Sequence, residues 1–156
     1  MSLTNLVAEG RLRRHRTSRQ EIANLFRLAD QGLADARVEA ISLDRRFCAA
    51  YDAARSLATV VLACAGYRTA GTGQHATVFE ALPLVLGATY AELTAYLDAC
   101  RSKRKVAEYQ RAGEIMSEEV AELIDATEAF RDEVLAWLRE QHPGLQPRGA
   151  GGGSRP

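Results

Sequence analysis

The sequence predicts an all-α fold, an up-and-down antiparallel bundle of about five helices. Three observations predict it. Apolar residues recur at intervals of three and four over long stretches, the spacing of one helical face. Capping residues and glycines fall between those stretches. The connections are short, which favours antiparallel neighbours, and no segment shows the alternation of a half-buried strand.

The first predicted helix starts at Ser18. Ser18 and Glu21 form a capping-box pattern, whose hydroxyl and carboxylate satisfy free backbone N–H groups. Ile22, Leu25, Phe26, Ala29 and Leu33 then follow at helical spacing, fading near Val38. Ser42 is the next N-cap, with Asp44 in the first turn, where a carboxylate favours the helix dipole. The second helix runs to about Ala65, and Gly66 stops it. It is rich in alanine and apolar nearly all round after Leu57, which predicts a central position. A glycine-rich loop follows. Thr77 and Glu80 repeat the capping-box pattern before a short helix that contains Pro83 and ends at Gly87, so it is kinked or begins late. The fourth helix spans about Tyr90 to Arg111, with the apolar stripe Leu93, Leu97 and Cys100. Ser117 caps the last helix, which His142, Pro143 and Gly144 terminate.

The chain has 156 residues, of which 47% are apolar, enough for one core and one domain. The expected division is a flexible segment 1–17, a helical domain 18–143 and a disordered tail 144–156. Lys and Arg number 20, as do Asp and Glu, and the resulting zero net charge argues against bulk attraction to nucleic acid or to an anionic membrane. No apolar run approaches the roughly 18 residues needed to span a bilayer, and the polar, basic N-terminus lacks the apolar core of a signal peptide. These features predict a cytoplasmic protein without membrane partners. Cys48, Cys64 and Cys100 are far apart and read as small buried apolar side chains. His15, His75 and His142 are equally scattered, and no Glu-x-x-His pair is present. Neither a metal nor another cofactor is expected.

One segment carries a chemical signal. Arg101-Ser102-Lys103-Arg104-Lys105 places four positive charges in five residues, while the acidic residues lie mostly elsewhere, notably from Glu114 to Glu133. Advancing about 100° per residue, the stripe Leu93, Leu97, Cys100 continues to Arg104. A guanidinium on that line is costly unless it is paired or faces a groove. Glu108, four residues on, and Asp52, on the second helix, are its candidate partners. Arg101, Lys105 and Tyr109 share a neighbouring face. The cluster reads either as a solvated helix end, its cations complementing the dipole, or as a phosphate site of Arg forks and a tyrosine hydroxyl. Tyr51 reads as a core tyrosine whose hydroxyl is satisfied by Asp52 or backbone, and His75 as a cap or surface residue.

Tyr51-Asp52-Ala53-Ala54, Ala65-Gly66-Tyr67-Arg68, His75-Ala76-Thr77 and the run Arg101 to Tyr109, in that order and spacing, resemble the HEPN superfamily (higher eukaryotes and prokaryotes nucleotide-binding domains). The resemblance covers about residues 18–143 and is greatest to a bacterial branch whose late motif reads Arg-x-Lys-Arg followed by a tyrosine. It implies a helical bundle that forms a dimer. It also implies a place among ribonucleases of toxin–antitoxin or defence systems, some paired with a nucleotidyltransferase-type antitoxin. In the catalytic members an arginine is followed, after four to six residues, by a histidine, and the dimer cuts RNA without a metal. Arg104 matches that arginine, whereas Tyr109 stands where the histidine would fall. Tyrosine, with a pKa of about 10, is a poor proton carrier near neutrality. Arg104 and Tyr109 also lie about 140° apart on a straight helix, so they meet only across a dimer cleft or through a distortion.

The expected function is therefore binding of RNA or a nucleotide phosphate by a homodimer, through Arg101, Lys103, Arg104 and Lys105, with Asp52 or Glu108 orienting Arg104. Two alternatives stand beside it. One is metal-independent RNA cleavage, with Arg104 and Tyr109 as catalytic residues. The other is a non-catalytic dimerisation or interaction protein.

Overall fold

The computed structural model describes residues 1–109 and 112–148, apart from the side chain of Glu108. It is an all-α bundle whose four long helices are α2 (Arg19–Ala36), α3 (Leu43–Cys64), α6 (Ala91–Tyr109) and α7 (Ser117–Gln141). Short helices α1 (Leu3–Ala8), α4 (Gln74–Glu80) and α5 (Leu82–Leu86) pack around them, with 3-10 turns at Ala88–Tyr90 and Pro143–Leu145. Contacts at the helix ends give the directions. Arg19, at the start of α2, donates to the Gly144 carbonyl beyond the end of α7 (3.2 Å). Lys103, late in α6, bonds Glu119 at the start of α7. Asp44, at the start of α3, accepts the Gly113 N–H (2.8 Å) just before α7. The long helices thus run up, down, up and down, with α2, α6 and α7 all lying against α3.

The sequence of α3 explains its place. Ser42 Oγ accepts the Arg45 N–H (3.2 Å), a side-chain cap that starts the helix. Gly66, at φ +96°, ends it in a backbone region that side chains with a Cβ avoid. Between them, the consecutive residues Val60, Val61, Leu62 and Ala63, which point to all sides of the helix, are buried. Among the described residues α3 alone is long and apolar enough to cross a membrane, but 67% of its apolar stretch is buried by its neighbours, as in a core helix. Its contact with α2 is close because of Gly32: a Cβ there would lie 2.7 Å from the Ala49 carbonyl oxygen and 3.0 Å from Ala53 Cβ.

Several expectations are corrected. Residues 1–17 are not a flexible lead-in. They form α1 and a strand β1 (Leu12–Arg14), which pairs antiparallel with β2 (Tyr67–Thr69), Leu12 opposite Thr69 and Arg14 opposite Tyr67. Leu6 and Leu12 are buried, and that apolar burial is what holds the segment down. Three-residue strands are too short for alternation to reveal them, so the expectation of no strand fails as well. Thr77 is not a cap but a buried residue inside α4, its hydroxyl bonding the Gly73 carbonyl, while Gly73 itself begins the helix. The segment around Pro83 divides into α4 and α5, with the proline in the first turn of α5, where its missing N–H costs nothing. The cap of α7 is Met116, one residue before Ser117, because Glu119 reaches back to the Met116 N–H (3.1 Å). Ser18 does cap α2, accepting from the Glu21 N–H (3.1 Å), but the Glu21 carboxylate turns instead to His15 and Thr17 (2.7 Å each). Of the expected tail, residues 144–148 continue the body and Pro147 is buried; the remainder lies outside the described residues.

Candidate functional site

The inward line of α6 ends at Arg104 as its spacing requires, and α3 meets it there. The Arg104 guanidinium lies over the ring of the buried Tyr51, 5.3 Å from its centroid. One of its nitrogens is 3.3 Å from Asp52 Oδ1, an ion pair whose geometry falls short of a hydrogen bond. Tyr51 and Asp52 are adjacent on α3, so one carries the stacking and the other the charge. Of the two candidate partners of Arg104, Asp52 is thus within reach; the Glu108 side chain lies outside the described residues.

The Tyr51 hydroxyl meets His75 Nδ1 at 3.1 Å, and the Tyr51 ring packs edge-on against Phe79. Both His75 and Phe79 come from α4. The position of α4 depends in turn on Arg11, whose guanidinium bonds the Thr77 hydroxyl (3.0 and 3.2 Å) and Glu80. The N-terminal segment and its strand pairing therefore hold the helix that presents His75. The expected partner of the Tyr51 hydroxyl was Asp52 or backbone; it is this histidine.

Arg55 stands one turn beyond Tyr51 on α3. It is half-buried, and its Nε is fully buried with no hydrogen-bond partner among the described residues. Arg101 stands one turn before Arg104 on α6 and pairs with Asp98 (2.9 Å). The three arginines set the electrostatics of the site. Burial pushes the Tyr51 hydroxyl up to about 12, with Arg55, Arg104 and Arg101 opposing and Asp52 assisting. Burial, followed by Arg55 and Arg104, holds His75 below the ordinary histidine value, against the opposing pull of Asp52. Near neutral pH, then, Tyr51 is a neutral phenol and His75 a neutral imidazole among guanidinium groups.

The remaining cations of the cluster go elsewhere. Lys103 points across to α7 and pairs with Glu119, which raises its pKa and lowers that of Glu119. Lys105 is exposed. Helix α6 is continuous to Tyr109, whose side chain is 71% exposed, so no distortion brings it to Arg104 within one chain. Arg104 and Asp52, singled out in the sequence, are thus within reach of each other, with Arg101 one turn away; Arg55 and the place of His75 were not anticipated. Arg55 had a signal, a charge on the same helical face as Tyr51 in an apolar helix. His75 had none, since only folding brings α4 to α3.

An open groove of about 990 Å³ runs along α3 from Ser42 to Ser56, lined by α2 and Ala107; of the three arginines, Arg55 lines it. Asp52 and Arg55 lie toward one end, and the exposed Leu28, Val38 and Ile41 lie along its rim. Cys48 also faces it, whereas burial raises the Cys64 and Cys100 thiols to about 12 and about 11. Among the described residues no group of three or more His, Cys, Asp or Glu could hold a metal ion. No protein-family model matches the chain, and neither a curated protein nor a solved structure matches it.

Proposed function

We propose that this chain is a HEPN-like helical domain that binds the phosphate of RNA or of a nucleotide at Arg55, Arg101 and Arg104. The observation that carries this reading is the Arg104 guanidinium over the Tyr51 ring and beside Asp52, with Arg55 one turn on from Tyr51 along α3 and Arg101 one turn back from Arg104 along α6. Guanidinium groups present planar, paired donors suited to phosphate oxygens, and half-burial strengthens each such bond. The open groove that reaches Asp52 and Arg55 leaves room for a chain or a base beside the phosphate. Lys103, committed to Glu119, is no longer part of the proposed site.

A second reading, metal-independent RNA cleavage, is favoured by one feature. An imidazole with a tyrosine partner stands among the arginines, although the motif in α6 lacks a histidine. One experiment tests both. Purified protein is incubated with labelled single-stranded RNA, with and without EDTA, beside Arg55→Ala and Arg104→Ala. Each charge-assisted bond to phosphate contributes about 1.5–3 kcal/mol, so each variant is expected to bind about tenfold more weakly or worse. Circular dichroism checks that Arg104→Ala remains folded, and Arg55→Ala tests the site apart from the packing on Tyr51. Unchanged affinity in a folded Arg55→Ala refutes the site. Cleavage that survives EDTA and is lost in both variants adds catalysis to binding.

A further inference from the structure

We infer, resting on the phosphate reading above, that His75 is a binding residue of that site: a fixed hydrogen-bond donor, aimed by Tyr51, that moves no proton to or from the ligand. The Tyr51 hydroxyl decides this. Tyr51 is fully buried, and its hydrogen bond among the described residues is the 3.1 Å contact with His75 Nδ1. A buried hydroxyl proton without an acceptor is costly. Among the described residues Nδ1 is the acceptor within reach, so the hydroxyl donates and Nδ1 is bare. A neutral imidazole carries one N–H, which then sits on Nε2. The opposite tautomer, with Nδ1–H donating to the phenol oxygen, would strand the hydroxyl proton inside the protein.

Nε2 is the nitrogen that a ligand meets. His75 is half-buried, and its Nε2 makes no hydrogen bond among the described residues and is not enclosed by them. It therefore presents its N–H outward. Protonating the ring adds the second proton at Nδ1 and leaves Nε2–H in place, so the outward nitrogen donates in both charge states. A general base needs that nitrogen bare. Loss of the Nε2 proton would leave either an imidazolate or the disfavoured tautomer, so the same nitrogen is a poor acid as well.

The donor stands beside the arginine on which the phosphate reading rests. The rings of His75 and Tyr51 have centroids 5.9 Å apart, and Arg104 Cζ lies 5.3 Å from the same Tyr51 centroid. One buried ring thus carries both a guanidinium and an imidazole. The first offers charge to a phosphate, and the second a directed bond to one ligand oxygen. The other histidines are engaged elsewhere, His15 with Glu21 and His142 against Trp137. With His75 fixed as a donor, the site binds RNA and leaves it uncut.

The test has two arms. Nitrogen NMR of the isotope-labelled chain near neutral pH reads the tautomer, with the His75 signals assigned from their loss in His75→Gln. Nδ1 is expected at the shift of a bare ring nitrogen and Nε2 at that of a protonated one. Tyr51→Phe keeps the ring under Arg104 but removes the hydroxyl, and is expected to give a mixture of tautomers. A bare Nε2 in the native chain, or the same mixture in the native chain and Tyr51→Phe, overturns the inference. The second arm measures binding of a labelled single-stranded RNA and of a nucleoside monophosphate, with circular dichroism to check folding. His75→Ala is expected to weaken binding about tenfold, one directed bond to a charged oxygen. His75→Gln, whose amide N–H replaces Nε2–H but cannot carry protons, is expected to retain most of the affinity. Equal loss in both variants, or RNA cleavage abolished by His75→Gln, overturns the inference. Unchanged affinity in His75→Ala, with loss in Arg55→Ala and Arg104→Ala, overturns it too but leaves the phosphate reading intact. Binding of neither probe by the native chain overturns both.

Discussion

Tyr51 shows how one buried residue couples two surfaces. Its ring carries Arg104 from α6, and its hydroxyl holds His75 from α4. The consequence for stability follows from His75. Its folded pKa lies below the ordinary value of 6.5. Above that value both folded and unfolded chains hold a neutral imidazole, and His75 contributes no pH dependence. As pH falls through 6.5, the unfolded chain takes up a proton that the folded chain resists, so stability falls until the lower folded pKa is passed. Urea unfolding between about pH 7.5 and about pH 5.5 is expected to show this decline, and His75→Gln to flatten it. An identical slope in the variant would refute the assignment. Glu21 and Glu119 act at lower pH. Burial pushes Glu21 up, but bonds from Thr17 and His15 outweigh it; Glu119 is held down by Lys103 and the Met116 N–H. Their contributions are present above 4.5 and are lost as pH falls through the folded values.

At the scale of elements, the decisive contact is the crossing of α2 over α3. Helix propensity alone would disfavour Gly32 inside a helix by about 1 kcal/mol relative to alanine. Its justification is the Ala49 carbonyl and Ala53 Cβ, which leave no room for a side chain. Gly32→Val must therefore push the helices apart or strain both, and is expected to cost about 1–3 kcal/mol in urea unfolding. A variant as stable as the native chain would show that the crossing has slack. Because α3 also carries Tyr51, Asp52 and Arg55, this crossing bears on how far those residues stand from α6.

The whole molecule is tied together by its beginning. Leu6 and Leu12 are buried, β1 pairs with β2, and Arg11 bridges to Thr77 and Glu80 on α4. A fully buried leucine contributes about 1.5–3 kcal/mol, so the first 17 residues supply several kcal/mol against a total typical of domains of about 5–15. Their deletion is expected to lower the thermal midpoint by 10 °C or more (about 2–4 °C for each kcal/mol in a domain of roughly this size). A truncated chain that melts with the native one would mean that this layer is decorative. Ion pairs between helices, such as Arg131 with Asp30 (2.6 Å) and Arg37 with Glu128, join α7 to α2 at their exposed surfaces and contribute less.

The helical class, the four long helices and the core position of α3 were legible in the sequence because each depends on local spacing and on caps that act within one turn. Ser18, Ser42 and Gly66 did their work where the pattern placed them. The inward direction of Arg104 was legible for the same reason, since it continues the line from Leu97 and Cys100. Which side chains meet was not. His75 reaches Tyr51 across 24 positions, Arg11 reaches Thr77 across 66, and Lys103 leaves its neighbours for Glu119. Strands of three residues and a leading segment anchored by two leucines carry too little periodicity to be read alone. The sequence by itself determined the four long helices and the direction of Arg104, because these follow from helix geometry. Only the tertiary structure decided which side chains meet, because α3, α4 and α6 bring together charges and a titratable ring that no local pattern connects.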